Sequence, residues 1–405
     1  MATTAITGAR VFDGEKPLGV RTVVVDGRTI RQVGGEVPAG AEVVDGRGAT
    51  LLPGLIDAHV HSGPGTLALA LRFGVTTELE MQGMNTRENR AHITEDDTVA
   101  DVRSSGFAIT PPGGHPSELM PEGFRPAGDL PPVMPLMPFS TTPDQAAAYV
   151  PQLLARGSDY IKFMVDDGSV EGHPGLPMLD QATLNAGVAE AKKYGALTVA
   201  HALTLDATRM AVEAGVDGLV HVFMDRPHTE EIIDLIAEAG TFVVPCVCLD
   251  ASMTGITGSA LADDPRVARR LDAGWEETLR SSYNRYPQGK LEDVLETVRA
   301  LAAAGVDVLA GTDASMAETF FGGLAHGASL HQELQYLVAA GLTPAQALRA
   351  ATATTARRFG LGDRGRIAEG LRADLLLVDG DPTANIGATL DTRAVWRRGA
   401  RLEES

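Results

Sequence analysis

Residues 51–63 read LLPGLIDAHVHSG: an apolar run, entered through Pro-Gly, that ends on two histidines one residue apart. Residues two apart on a β-strand share a face, so His59 and His61 can both point out of the same end of such a strand. The pair either fills a core or holds a metal, and the rest of the chain decides between the two.

From about residue 55 to 360, short apolar runs alternate with helical stretches. The runs that read as strands are GLIDAHVH, GVTTELEM, GFAITPP, YIKFMV, LTVAHAL, GLVHVF, TFVVPCVCL and VDVLAGTD. Between them lie helices such as DQATLNAGVAEAKKYG, LDATRMAVEAG and TEEIIDLIAEAG, each closed by glycine. Eight strands with intervening helices predict an α/β chain closed as a parallel (β/α)8 TIM barrel. A doubly wound open sheet is the alternative, and the count of eight and the length favour closure. Residues 1–54 hold short β-like runs with Asp-Gly turns, and residues 363–405 repeat that style. Neither end is long enough to bury a core alone. Together they are expected to build one small composite β-sandwich domain, with residues 55–362 as the catalytic barrel. The connection after the third strand is rich in proline and glycine, and that after the seventh, residues 249–289, is long. Long loops on the carboxyl face of a barrel usually carry function.

This strand assignment gives the histidines a setting. His59 and His61 end the first strand, His201 the fifth, His221 the sixth and Asp313 the eighth, while Lys162 lies within the fourth. An imidazole or a charge in such an apolar strand costs several kcal/mol unless it is paired or ligated. Catalytic residues of this barrel come from the carboxyl ends of different strands. Imidazoles and carboxylates bind zinc and similar metals. An ammonium has no lone pair, but a lysine carbamate is carboxylate-like and can bridge two metals roughly 3.5–4 Å apart. The plainer reading of Lys162 is an ion pair with Asp166, Asp167 or another acid.

Composition bounds the partners. A net charge of −19 argues against nucleic acid and anionic membrane surfaces. The N-terminus lacks the basic start and apolar stretch of a signal peptide, and no apolar run approaches the ~18 residues of a membrane span. Cys246 and Cys248, two apart in the expected seventh strand, are awkward to bridge and read as reduced, buried thiols of a cytoplasmic protein; a metal role is the alternative, opposed by the lack of a further cysteine to complete a thiolate site.

PGLIDAHVH, the strand-four lysine, AHALT, DGLVHV and AGTD together resemble the amidohydrolase superfamily, and GRIAEGLRADLLLVDGDP is similar to its C-terminal return. The resemblance covers nearly the whole chain and is strongest to the prolidase-like, carboxypeptidase-like and ochratoxin-amidase-like branch, notably in HGASLHQELQYLVAAGLTPAQALRAATATTARRFGL. It implies two divalent ions, zinc above all. His59, His61 and Asp313 would hold one ion, His201 and His221 the other, and carbamylated Lys162 would bridge them. The implied reaction is attack of a metal-bridging hydroxide on an amide, peptide-like or cyclic amide bond of a small, partly apolar molecule. Asp313 would act as general base and then acid. The family also implies a dimer or larger ring. The chain departs from the branch at Leu203, in TTELEMQG after strand two, and in GGHPSEL after strand three, which bear on the substrate more than on the metals.

His115, on the strand-three loop, is the first non-ligand candidate for touching substrate or transition state; the alternative is a loop-stabilising hydrogen bond. His173 and His326 are further substrate candidates. His331 reads as structural, and His92 and His228 as surface residues. Met81, Met164, Met224, Met253 and Met316, with Phe320 and Phe321, could line an apolar mouth, against a plain core reading for each alone. Tyr283, Arg285 and Tyr286 suit a substrate carboxylate. Heterocycle deamination is a second enzymatic reading, opposed by Lys162, because many such deaminases lack that lysine. A silent scaffold protein is a third, opposed by a ligand set with no member missing.

Overall fold

A computed structural model describes residues 3–63, 65–119 and 137–403. The N-terminal strands are β1 (Thr4–Phe12), β2 (Pro17–Asp26), β3 (Thr29–Val33), β4 (Glu42–Asp45) and β5 (Ala49–Pro53). Then come β6 (Leu55–Val60), β7 (Val75–Glu80), β8 (Asp101–Ser104), β9 (Ile161–Met164), β10 (Thr198–His201), β11 (Gly218–Val220) and β12 (Phe242–Val244). The chain closes with β13 (Leu375–Asp379), β14 (Thr392–Arg397) and β15 (Ala400–Arg401).

Both chain ends join one eight-stranded sheet, in the order β15-β14-β13-β5-β1-β2-β3 with β4 beside β1. The joint is the antiparallel ladder between β5 and β13, where Leu51 faces Leu377. Ile6, Val11, Val25, Ile30, Leu51, Leu375, Leu377 and Trp396 form its buried cluster. Strands from both chain ends thus share one sheet. The described strands hydrogen-bond as one sheet, and a separate second layer is not among their pairings.

The middle of the chain forms two parallel sheets, β6-β7-β8 and β12-β11-β10-β9. Single bridges extend them: Ile109 with Phe163, Val243 with Val308, and Val60 with Ala314. The expected eighth strand, VDVLAGTD, makes such bridges instead of a ladder. Leu309 donates its N–H to the Val243 carbonyl (2.8 Å), and Ala58 donates to that of Ala310 (2.9 Å). Gly311 permits this approach, because a Cβ there would lie 2.4 Å from Val244 Cγ1 and 2.9 Å from the His59 nitrogen.

Two expectations are corrected. The third ladder is not GFAITPP but DVRS, Asp101–Ser104, paired in parallel with Thr77–Glu80. Its charges hid it: the buried Asp101 carboxylate is neutralised by Arg364 (2.5 Å) and Arg372 (3.1 Å), both distant in sequence. The cysteines are not both on a strand. β12 ends at Val244, Cys246 turns the chain with φ 56°, and Cys248 lies in the helix Val247–Met253.

The helices follow their sequence signals. Helices Gln181–Lys193, Leu205–Ala214 and Glu230–Ala239 begin on Asp180, Thr204 and Thr229, whose side chains accept the N–H of the third residue on. The last two stop at Gly215 and Gly240 in left-handed conformation. Their apolar faces cover the parallel strands in one continuous core. No helix of the described residues is long and apolar enough to cross a membrane.

Candidate metal centre

The six expected ligand residues converge at the carboxyl ends of the parallel strands. Asp313 Oδ1 lies 3.0 Å from His59 Nε2 and 2.9 Å from His61 Nε2. Lys162 Nζ is 3.4 Å from the same His59 nitrogen. The His221 ring centroid is 4.7 Å from those of both His59 and His201. Two of these residues, His221 (φ 112°) and Asp313 (φ 62°), hold left-handed backbones that non-glycine residues rarely adopt. Such strain persists where the surroundings over-determine it, commonly at functional sites.

The electrostatics favour ligands. Burial pushes the His59 imidazole down to about 3, and drives His201 and His221 well below the usual histidine range. All three are therefore neutral, with a lone pair to offer. Burial alone would raise Asp313, but the close approach of the His59 and His61 ring nitrogens outweighs it and lowers the carboxyl well below the usual carboxylate range. Burial lowers the Lys162 amine to about 8. The plainer reading, an ion pair with Asp166, Asp167 or another acid, finds no such pair among the described residues, and Asp166 Oδ2 instead faces His201 Nε2 at 2.8 Å. A partly neutral, buried amine is the form that reacts with carbon dioxide.

Do these residues fit a metal? Asp313 Oδ1 is buried and carries no well-directed hydrogen bond, although two imidazole nitrogens stand within 3.0 Å. Nitrogens and an oxygen that crowd together without hydrogen-bond geometry suit a cation between them. Among the described residues, three groups bring ligand atoms within 4.8 Å of one another: His59–His61–Asp313, His59–His221–Cys246 and His115–Glu171–His201. The third fits an ion poorly. His115 and His201 stack with centroids 4.4 Å apart and planes only 25° from parallel, so their in-plane lone pairs run side by side.

Carboxylates unremarked in the sequence hold the centre in shape. Asp57 accepts from the His59 N–H (3.2 Å) and from the Thr312 N–H (3.1 Å) and hydroxyl (2.8 Å). Glu78, buried in β7, contacts His326 Nδ1 at 2.7 Å and accepts from the Ser62 hydroxyl at 2.8 Å. His326 Nε2 meets the Ser315 carbonyl at 2.8 Å. Both acids lie in fully buried strands; Asp57 interrupts an apolar run, which was a signal available to find it, whereas Glu78 sits in the polar stretch VTTELE and gave none.

The other candidates divide. His115 faces the centre and pairs with Glu118 at 2.6 Å; burial opposes its charge, but Glu118 and Glu171 raise it to about 9. Burial raises Glu171 to about 7. Arg285 reaches Glu171 at 3.6 Å and lies over the Phe320 and Tyr283 rings, 4.5 and 5.2 Å from their centroids. Tyr283, Tyr286 and Met316 are half-buried. His326 is corrected from a substrate candidate to a fully buried support, with both ring nitrogens engaged by protein. His173 is exposed on its loop and its ring joins none of the three ligand groups. Met81, Met164, Met224 and Met253 are core residues, so the plain reading holds for them. His331 is structural, between the Phe73 carbonyl and the Thr389 hydroxyl. Part of the proline-rich connection, residues 120–136, lies outside the described residues.

Fold and site together define a metal-binding α/β hydrolase. Residues 50–400 match the model of the Amidohydrolase family. The chain belongs to that family and is a hydrolase acting on carbon–nitrogen bonds. It is 28% identical over 388 residues to an uncharacterised protein of Mycobacterium tuberculosis, covering 93% of this chain and 90% of that one. It is 26% identical over 406 residues to the imidazolonepropionase of Rubrobacter xylanophilus, covering 88% of this chain and 84% of that one. Among solved structures it is similar to a prolidase complexed with N-methylphosphonate-L-proline, with a TM-score of 0.75, 26% identity and full coverage of both chains.

Proposed function

We propose that the chain is a binuclear amidohydrolase that cleaves an amide, peptide-like or cyclic amide bond of a small molecule. The observation that carries this reading is the convergence on His59 Nε2 of Asp313 Oδ1 at 3.0 Å and Lys162 Nζ at 3.4 Å. His59, His61 and Asp313 would hold one divalent ion, His201 and His221 the second, and Lys162, carbamylated, would lie between them. Zinc suits this set of nitrogen and oxygen donors. The ions would polarise the scissile carbonyl and make water acidic enough to attack it. The two parallel sheets and the segment 308–310 are read as arcs of one (β/α)8 barrel, residues 55–362, beside a composite β-sandwich domain of residues 1–54 and 363–405.

The protein's own groups do the remaining work. Asp313, ionised and facing the histidines, takes the proton of the attacking water and passes it to the leaving nitrogen. His115, held by Glu118 as an imidazolium, offers a donor to the oxygen on which charge develops. Arg285, with Tyr283 at its face, binds a carboxylate on the substrate. The likeness to a prolidase solved with a proline derivative supports such a substrate. The reading places the enzyme in the cytoplasm with a small molecule as its partner, and as a homo-oligomer.

The test is a hydrolysis screen of metal-loaded protein on N-acyl amino acids, dipeptides, cyclic imides and lactones at matched concentration, with metal counted per chain. The expected result is about two metal ions per chain and amide cleavage that bicarbonate enhances. Trace metal, with no activity recovered on adding zinc, manganese or iron plus bicarbonate, would overturn the reading.

A further inference from the structure

We infer that Cys246 positions His59 and His221 from behind, as the shared partner of the ring nitrogens that face away from the metals. The inference rests on the metal reading above and adds a residue to it. Cys246 Sγ is 3.5 Å from His59 Nδ1, while Nε2 on the opposite side of that ring faces Asp313 and Lys162. A ring nitrogen of His221 lies within 4.8 Å of both Cys246 Sγ and a ring nitrogen of His59. His221 Nδ1 is itself buried and has no hydrogen-bond partner. The thiol thus stands in a pocket where one imidazole nitrogen already meets it and a second is left over.

Chemistry explains why something must stand there. An imidazole that gives one nitrogen to a cation carries its proton on the other, and that N–H needs an acceptor. At His61 the acceptor is a backbone carbonyl, that of Gln82 at 3.1 Å from Nδ1. At His201 a carboxylate, Asp166, faces the ring. Among the described residues His59 and His221 have neither, and the Cys246 sulfur is the polar side-chain atom set against His59 Nδ1. A large, polarisable atom can accept from two rings at distances that oxygen does not span. The left-handed backbone of Cys246, φ 56°, turns its side chain inward where β12 gives way to a helix.

The test uses the full chain loaded with cobalt(II). Metal affinity is measured by chelator competition for the wild type, C246A, C246S and C248A, and the absorption spectrum is recorded for each. Loss of an orienting partner behind a metal ligand typically costs about 10–100-fold in metal affinity. C246A is expected to lose about that much and to shift the visible cobalt bands, with C246S in between. C248A removes a neighbouring buried thiol, which contacts the Ser329 carbonyl at 3.4 Å, and is expected to retain its metal. If C246A and C248A weaken metal equally, the effect is packing and the inference fails. If C246A binds as the wild type does, it fails as well. A near-ultraviolet sulfur-to-cobalt band in the wild type that C246A lacks would make Cys246 a ligand and overturn the positioning role. Wild-type protein that holds no metal would bring down the proposed function with it, so the two failures are distinct.

Discussion

Asp57 and Thr312, 255 residues apart in sequence, are joined by two hydrogen bonds, from the Thr312 N–H and hydroxyl to the Asp57 carboxylate. The same carboxylate accepts the N–H of His59. One buried acid therefore ties the strand that bears the histidine pair to the segment that bears Asp313. Burial and the nearby Glu78 push Asp57 well above the usual carboxylate range, and the Thr312 and His59 donors work against that shift. Replacing Asp57 by Ala leaves them unpaired and loosens two ligand-bearing segments at once. D57A is expected to lose roughly 10–100-fold in metal affinity. Chelator competition measures this, and an unchanged affinity would refute the role.

Lys162 separates a two-metal site from a one-metal site. K162A is expected to bind about one ion where the wild type binds two, and to lose the bicarbonate dependence of activity. Metal analysis of dialysed protein reads the first and rate against added bicarbonate the second. A fully active K162A would instead favour the deaminase reading.

His326 and Glu78, both fully buried, hold the Ser315 carbonyl two residues beyond Asp313. Removing one partner of a buried pair typically costs about 3–5 kcal/mol. H326A is expected to lower stability by that order in urea unfolding. Because the pair is fully buried and both His326 ring nitrogens are engaged by protein, H326A protein that remains folded is expected to keep the wild-type KM. A raised KM with unchanged stability would restore His326 as a substrate contact.

Asp101 gives the acid limb of stability. Burial alone would raise its pKa, but Arg364, Arg103, Arg372 and Arg397 hold it well below the usual carboxylate range. A depressed folded pKa contributes stability above the unfolded value of about 3.9, and that contribution is lost as pH falls below it. Wild-type stability is thus expected to drop steeply below pH ~4. D101N, weaker at neutral pH, is expected to show a shallower limb. Parallel curves in urea unfolding from pH 3 to 7 would refute this.

Arg285 is expected to act on binding. R285A should raise KM for substrates with a free carboxylate and leave their carboxamide analogues little changed. Equal effects on both would assign Arg285 a structural part in its stack on Phe320 and Tyr283.

Much of this was legible in the sequence because period and chemistry agree there. His59, His61, His201, His221 and Asp313 stand out because a polar residue ends an apolar run, and the structure brings them together. What stayed hidden depends on partners remote in sequence. The third ladder carries Asp101, whose counter-charges come mostly from Arg364 onward, so a local reading sees only a polar segment. His326 looked as available as His115 until Glu78, 248 residues earlier, was seen to occupy it. Asp166 was placed with Lys162 by proximity in sequence, yet a neighbouring strand presents His201 to it. Cys246 was read as a strand residue because the apolar run continues past Val244, where the backbone has already turned.

The sheet that unites the chain ends has a bearing on how the protein is made. β5 needs β13 as its antiparallel neighbour, and the Thr50 hydroxyl bonds the Gly380 carbonyl across 330 residues. On the ribosome, β5 is finished long before residues 375–379 exist. For most of synthesis one edge of the first sheet stands open, with Leu51 and Leu52 uncovered, and such edges invite pairing with the wrong chain. A nascent chain stalled before β13 is therefore the form most in need of a chaperone.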